Sequence, residues 1–292
     1  MSAIVAAKIC MVVALGFSSF FMLTPSLAIS TYGLLPAPAP ASRGLFDFGR
    51  RKDIAPSEAE VRLVTMLVQL CGVGMLSWYS LFSPIARVGD VNTVKWVCAL
   101  FTLARIPMVM ICLTSGNPEM VKMVYLNVVL MVVCAMGATR GGLPKPPHGL
   151  RDGGGASGRA MAFISLIALI NAVQSAVSPM SFTHHFGVSV THPDTTRAVE
   201  VIMQMWGLVV SVASTGRLVI VYANHGPSMY SACRGMAMYY AVFFGYMCCF
   251  KEAGVGTRAV PMTAQTVVML GYVLIAYFAG IYDDRKAKFL TA

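Results

Sequence analysis

Long apolar stretches alternate with polar connections along most of the chain. Eight of these stretches are about twenty residues long, which is the length at which an α-helix crosses the roughly 30 Å hydrocarbon core of a bilayer. They lie at 6–28, 61–84, 93–115, 120–138, 160–180, 198–222, 229–250 and 261–282. The pattern predicts an all-α, polytopic integral membrane protein with about eight transmembrane helices.

Composition points to the same class of protein. Of the 292 residues, 57% are hydrophobic and only 12% are charged, and the mean hydropathy is +0.70. Such a chain has too little polar surface to cover a water-soluble particle. The formal net charge of +10 comes from Lys and Arg in the connections, and they form no basic stripe with interleaved aromatic residues. We therefore expect contact with lipid head groups and none with nucleic acid.

A Gly/Pro-rich basic segment at 139–159, "TRGGLPKPPHGLRDGGGASGR", divides the chain nearly in half. Its composition is typical of a flexible linker. It separates two predicted four-helix units, 1–138 and 160–292, which we interpret as tandem repeats.

Matching positions in the two halves support this duplication. Pro179 and Gly187 follow Pro25 and Gly33 at a separation of 154, and "QMWG" at 204–207 follows "QLCG" at 69–72 at a separation of 135. Proline ends a helix, and a glycine eight residues later allows the chain to turn. Because each unit has an even number of helices, the copies would enter from one side and be related by parallel pseudo-symmetry. The alternative is that these residues mark helix ends independently.

The first stretch has a second interpretation. Lys8, the apolar residues after it and the small residues at 26–28 also fit a secretory or targeting signal cleaved after Ala28. Cleavage would leave seven helices. The equivalent position of the stretch at 160–180 favours an uncleaved helix, because no signal peptide would lie there.

Polar residues inside apolar spans are functional candidates, since their burial in lipid is costly. The candidates are Arg105, Gln69, Gln204 and Arg217. Arg105 precedes Pro107 by two residues, so we expect its guanidinium beside carbonyls that the proline frees, with an anion or head-group site as the alternative. Arg217 is expected to extend to the membrane interface. A transporter would place Gln69, Gln204 and Arg105 around one water-accessible void, whereas a scaffold would bury them in packed contacts.

Catalytic and metal-binding signatures are not evident. His184, His185, His192 and Asp194 lie close together, but their spacing matches no ligand motif, and we interpret them as a surface connection. The eight cysteines fall in apolar runs and are interpreted as small packing residues. The sequence contains no HExxH, Walker or nucleophile-elbow motif. We therefore predict no metal, no cofactor and no enzymatic activity.

Residues 158–282 resemble a known family. The matching features are "NAVQS" at 171–175, Trp206 in "QMWGLVVSVAS" and Tyr230 in "NHGPSMYSA". In these features the second half is similar to the ergosterol-biosynthesis protein twenty-eight family, the scaffold of sterol C4-demethylation. The resemblance implies a four-helix protein of the endoplasmic reticulum, and a non-catalytic tether that gathers sterol-modifying enzymes in one membrane.

Together these observations favour a non-enzymatic membrane scaffold or complex subunit in the endoplasmic reticulum, with the lipid bilayer and other membrane proteins as partners. Small residues such as Gly72, Gly74 and Gly207 would allow close approach of helices or the docking of a partner's helix. One alternative is a small-solute or lipid transporter. Another is an accessory subunit of a plastid membrane complex, with residues 1–28 as a targeting segment.

Overall fold

A computed structural model describes residues 1–35, 56–145, 155–183, 190–252 and 259–291. These residues form ten α-helices and one turn of 3₁₀ helix, Pro118–Met120, and none of them lies in a strand. The helices are α1 Ala3–Leu23, α2 Pro25–Thr31, α3 Glu58–Val88, α4 Val91–Thr114, α5 Val121–Thr139, α6 Gly155–Val177, α7 Pro179–Thr183, α8 Pro193–Ala223, α9 Gly226–Glu252 and α10 Ala259–Thr291.

Within the described ranges, seven helical segments are long and apolar enough to cross a membrane, namely Ala3–Leu23, Glu58–Val88, Val91–Thr114, Pro118–Thr139, Gly155–Val177, Pro193–Ala223 and Val267–Lys286. The chain is thus an all-α polytopic membrane protein, as the apolar pattern predicts. The stretch at 229–250 forms α9, but α9 is not among these seven. Its four tyrosines and Arg234 make it less apolar than its neighbours.

The predicted proline breaks are present, and each begins a further short helix that the pattern did not indicate. α1 ends at Leu23, and Pro25 occupies the first turn of α2. α6 ends at Val177, and Pro179 begins α7. Proline suits a first helical turn because it has no N–H to leave unpaired. Gly33 turns the chain after α2 with a φ of +55°, a conformation that favours glycine. Gly187 lies outside the described residues.

Helices α3 and α8 form the centre of the bundle. In their most apolar windows 61% and 67% of the residues are buried, against at most 33% in the other five segments. The two helices run in the same direction, because contacts advance along both together. Cys71 Sγ donates to Ile202 O at 3.5 Å, and Trp78 Nε1 donates to Val209 O at 2.7 Å.

The outer helices pack on this pair in a matching arrangement. α1 packs on α3 as α6 packs on α8, and α4 pairs with α5 as α9 pairs with α10. Besides α3 on α8, two further contacts cross between the halves, since α9 also packs on α3 and α4 also packs on α8. Each half therefore completes the packing of the other half's long central helix.

The segment predicted as a linker is shorter than 139–159. α6 begins at Gly155, where the carboxylate of Asp283 accepts a hydrogen bond from Ser157 N at 2.6 Å. The start of the segment is also held in place. The carbonyl of Lys145 accepts hydrogen bonds from Asn92 Nδ2 at 3.0 Å and from Trp96 Nε1 at 2.8 Å. Residues 146–154 lie outside the described residues.

Candidate functional site

Arg105 lies inside the first half of the bundle, and only 3% of its surface is exposed. Its Nη1 donates a 2.8 Å hydrogen bond to Asn127 Oδ1 on α5, and its guanidinium carbon lies 4.2 Å from the centre of the Trp78 ring. α4 continues through Pro107. We predicted that a carbonyl freed by that proline would accept a hydrogen bond from Arg105. That prediction is wrong, because the observed oxygen acceptor is the side-chain amide of Asn127.

Arg217 is more completely buried, with 1% of its surface exposed. Its Nη2 donates to Ser80 Oγ at 2.9 Å and to Ser77 O at 3.3 Å, both on α3. The Tyr239 ring of α9 lies 5.5 Å from its guanidinium carbon. The expectation that Arg217 extends to the interface is wrong, since the neighbouring helices supply its acceptors and an aromatic face inside the bundle.

Gln69 and Gln204 have separate surroundings. The amide of Gln69 donates to Met22 O of α1 at 3.2 Å. Gln204 lines a cavity of about 230 Å³ between α4 and α8, and none of the other three candidates lines that cavity. The structure therefore brings the four predicted residues to different contacts and not to one void.

The cavities that do adjoin one another lie where α1 and α4 end and α8 begins. The first cavity, of about 270 Å³, is lined by the loop after α4 and by the start of α8. The second cavity is the one between α4 and α8 that Gln204 lines. The third, of about 70 Å³, is lined almost entirely by apolar residues, among them Phe21, Met75, Met123 and Met205. Val201 lines all three cavities. We call these three adjoining spaces the interfacial cleft.

The loop after α4 shapes the mouth of the cleft. Asn117 Nδ2 donates to Tyr32 O at 2.7 Å and to Gly33 O at 2.8 Å, so one amide fixes the turn after α2. Gly116 has a φ of +63°, and a β-carbon there would overlap Nη2 of Arg197. The missing side chain leaves the space in which the Arg197 guanidinium lies.

Three charged residues of α8 line the polar part of the cleft. Arg197 lines both polar cavities, with Asp194 in the first and Glu200 in the second. Arg197 forms no hydrogen bond or ion pair within the described part of the chain. The apolar pattern does not single out Arg197 and Glu200, since they lie at the polar start of a span, and Asp194 stood out only beside the nearby histidines. Asp194, Arg197 and Glu200 are spaced three residues apart, so the sequence does indicate that they share one face of the helix.

A buried carboxylate connects the starts of the two central helices. Glu60, in the first turn of α3, accepts hydrogen bonds from Thr191 N at 2.7 Å and from His192 N at 2.9 Å, just before α8. The Ser57 N–H also donates to it, at 2.8 Å. This contact between the halves was not predicted, although Ser57 and Glu60 form a capping box that is recognisable in sequence.

The histidine and cysteine predictions are tested in part. His192 caps α8, and its ring accepts a hydrogen bond from Asp194 N, while His184 and His185 lie outside the described residues. Within the described ranges no three His, Cys, Asp or Glu residues are grouped to hold a metal ion. The described cysteines are free thiols, and the sulfur atoms of Cys10 and Cys134 lie 3.4 Å apart.

Chemically, the interfacial cleft can hold a charged group beside Arg197 and an apolar group beyond Val201. The buried arginines, by contrast, are enclosed by protein.

The resemblance of residues 158–282 to the ergosterol-biosynthesis protein twenty-eight family stays a prediction. Comparison of the chain with protein-family models, with curated proteins and with solved structures finds no match.

Proposed function

We propose that this chain is a non-enzymatic, multi-pass membrane scaffold or complex subunit, which tethers lipid- or sterol-modifying enzymes. The observation that carries the proposal is the enclosure of its two buried intramembrane arginines. Arg105 is held by Asn127 and Trp78, and Arg217 is held by Ser77, Ser80 and Tyr239. A transporter needs such groups free to meet a solute in a cavity, whereas a scaffold needs them only to stabilise the bundle.

Of the two roles expected for the small residues, close approach of helices within the bundle is the one that the contacts of Gly72, Gly74 and Gly207 support. A β-carbon on Gly72 would lie 2.8 Å from Met22 Cγ of α1, and one on Gly207 would lie 2.5 Å from Ala172 O of α6. Gly74 adjoins Trp206 of α8. A partner must therefore dock on the outer helices.

The outer helices offer an apolar surface for lipid and for partners. On α5, large exposed residues recur at helical spacing along one face, namely Tyr125, Val128, Val129, Val132 and Met136. On α10 a comparable set includes Leu270, Leu274 and Phe278. Both surfaces suit the hydrocarbon core of a bilayer and the helices of other membrane proteins.

Tandem duplication forms part of the proposal. α3 and α8 each contain 31 residues, and their starts are separated by 135 residues, as are the "QLCG" and "QMWG" segments. Every packing pair described for one half has a counterpart in the other. Superposition of α1–α5 on α6–α10 in an experimental structure tests the duplication, and a rotation axis along the membrane normal is the expected result.

Site-specific photo-cross-linking in intact membranes tests the scaffold function. A cross-linking amino acid at Val129 of α5 or at Leu274 of α10 should capture a defined membrane protein, whereas one at buried Cys134 should capture none. Detection of the same lipid- or sterol-modifying enzyme in a mild-detergent purification would support the proposal. Capture of lipid alone at both exposed positions would contradict it.

Location is tested separately. We propose the membrane of the endoplasmic reticulum, with a plastid membrane as the alternative. Fractionation of a tagged chain, together with N-terminal sequencing of the mature protein, distinguishes the two. Cleavage after Ala28 and recovery with plastid membranes would favour the plastid subunit.

A further inference from the structure

We propose that the interfacial cleft binds one zwitterionic glycerophospholipid, with its phosphate on Arg197, its amine beside Glu200 and Asp194, and part of an acyl chain in the apolar cavity. The inference goes beyond the scaffold function and does not depend on it.

The position of the cleft is the first argument. Its walls are the turn after α2, the loop after α4, which joins two membrane-spanning segments, and the first two turns of α8, which begin a third. Helix ends lie at the level of the lipid head groups. A ligand in this cleft therefore meets the polar and the apolar layers of the bilayer at once.

The charges of the cleft are the second argument. Among the described residues that line the cleft, Arg197 is the one cationic side chain, and it lies between the carboxylates of Asp194 and Glu200, which line different cavities. Neither carboxylate forms an ion pair with Arg197 in the structure, so the guanidinium can receive a phosphate in a bidentate contact. One cation flanked by two anions complements a phosphate joined to an ammonium group better than it complements an anionic head group.

The connection between the cavities is the third argument. Val201 lines both polar cavities and the apolar one, and it follows Arg197 by one helical turn. The apolar cavity of about 70 Å³ exceeds the volume that one water-sized group needs, about 10–15 Å³, so it has room for a short acyl segment. Burial of each methylene is favourable, so an acyl segment adds affinity that a free head group lacks.

Native mass spectrometry of the full chain in mild detergent tests the site. The probes are dioleoyl phosphatidylcholine, dioleoyl phosphatidylglycerol and water-soluble glycerophosphocholine, each at the same concentration. The intact chain should retain one phosphatidylcholine, and Arg197→Gln should lower the retained fraction about tenfold, the effect of losing one charge-assisted contact.

A matched control is available in the first half. Arg62 precedes Arg197 by the repeat separation of 135, but it is exposed, pairs with Glu58 at 2.8 Å and lines none of the three cavities. Arg62→Gln should therefore leave retention unchanged. Val201→Trp, which fills the junction of the cavities, should also lower retention. If that variant does not fold, Met205→Phe blocks the apolar cavity alone.

Three outcomes would overturn the proposal. Equal retention by Arg197→Gln and Arg62→Gln would show that the bound lipid is not at this cleft. Preference for phosphatidylglycerol would contradict the zwitterionic head group. Displacement of the lipid by glycerophosphocholine at an equal concentration would show that the apolar cavity contributes no affinity.

Discussion

The guanidinium of Arg105 on α4 donates a 2.8 Å hydrogen bond to the side-chain oxygen of Asn127 on α5, inside a bundle in which both residues are buried. Its other terminal nitrogen, Nη2, has no partner within the described part of the chain. Asn127 therefore supplies the one oxygen acceptor of the guanidinium, and the bond joins two spans at an intramembrane position.

Asn127→Leu should destabilise the protein by about 2 kcal/mol, because a hydrogen bond to a buried charged group is lost without compensation. The double variant Arg105→Met with Asn127→Leu should recover most of that loss, since both partners become apolar. Thermal unfolding of the parent chain, of Arg105→Met, of Asn127→Leu and of the double variant in one detergent measures the coupling between the two side chains. Additive effects of the two substitutions would contradict the pairing.

Gly207→Ala should weaken the packing of α8 on α6. The added carbon would lie 2.5 Å from Ala172 O and 2.8 Å from Ala176 N, and backbone atoms cannot move aside as a flexible side chain can. We expect a loss of about 1–3 kcal/mol, which is typical of an overpacked interface. Gly72→Ala should cost less, because one of its close contacts is the mobile Met22 side chain.

Gly16→Ala is the control for these substitutions, since nothing lies within 4 Å of a β-carbon at that position. We expect no destabilisation, because alanine is the better helix former. The melting temperature in detergent measures the stability of each of the three variants. A melting temperature for Gly207→Ala equal to that of Gly16→Ala would exclude the close approach of α6 and α8.

Asp90 should make the stability of the connection between α3 and α4 depend on pH. Partial burial raises the pKa of its carboxyl, but hydrogen bonds from the Thr93 hydroxyl and from the N–H groups of Thr93 and Asn92 outweigh that effect, so the pKa lies below its ordinary value. A depressed pKa stabilises the fold above the pKa of the unfolded chain, about 3.9. That stabilisation is lost as the pH falls through the pKa of the folded state.

Asp90→Ala should therefore be less stable than the parent chain by about 1 kcal/mol at pH 7, the usual cost of losing an N-terminal helix cap. The difference should shrink as the pH falls below about 4. Asp90→Asn keeps a capping oxygen and should lose less at pH 7. A difference between parent and Asp90→Ala that stays constant from pH 7 to pH 3 would contradict the assignment.

Cys10 and Cys134 should be linked readily by a mild thiol oxidant such as copper phenanthroline, because their sulfur atoms lie 3.4 Å apart on α1 and α5. The product should be one disulfide-linked peptide pair in mass spectrometry after digestion. Cys71, whose thiol donates to Ile202 O on α8, provides a comparison and should stay unlinked to Cys10. Failure to link Cys10 with Cys134 would contradict the packing of α1 on α5.

Much of the fold follows from the sequence because apolar length and proline position are local signals. The predicted breaks at Pro25 and Pro179 are confirmed, and each of the eight stretches contains a helix. The position of Arg217 does not follow, because its span is apolar on every side and periodicity cannot show which face meets α3. Its acceptors, Ser77 and Ser80, lie in another span, so only tertiary packing reveals them.

The candidate site was even less accessible to sequence reasoning. Arg197 and Asn117 belong to segments that look like ordinary polar connections, and neither interrupts an apolar span. Their proximity depends on the left-handed turn at Gly116 and on the approach of α4 to α8. Such a cleft between distant segments forms only when the bundle is assembled. Polar residues inside apolar spans indicate other positions, such as Arg105 and Arg217.

The bond between Arg217 and Ser80 also has a consequence for the order of synthesis. Its acceptor belongs to α3 and its donor to α8, 137 positions later in the chain. When the ribosome delivers Arg217 to the bilayer, the Ser77 carbonyl and the Ser80 hydroxyl that accept its hydrogen bonds have already been synthesised. The helix that contains the acceptors thus precedes, in the chain, the span that contains their donor, so Arg217 can meet both acceptors as soon as its own span is inserted.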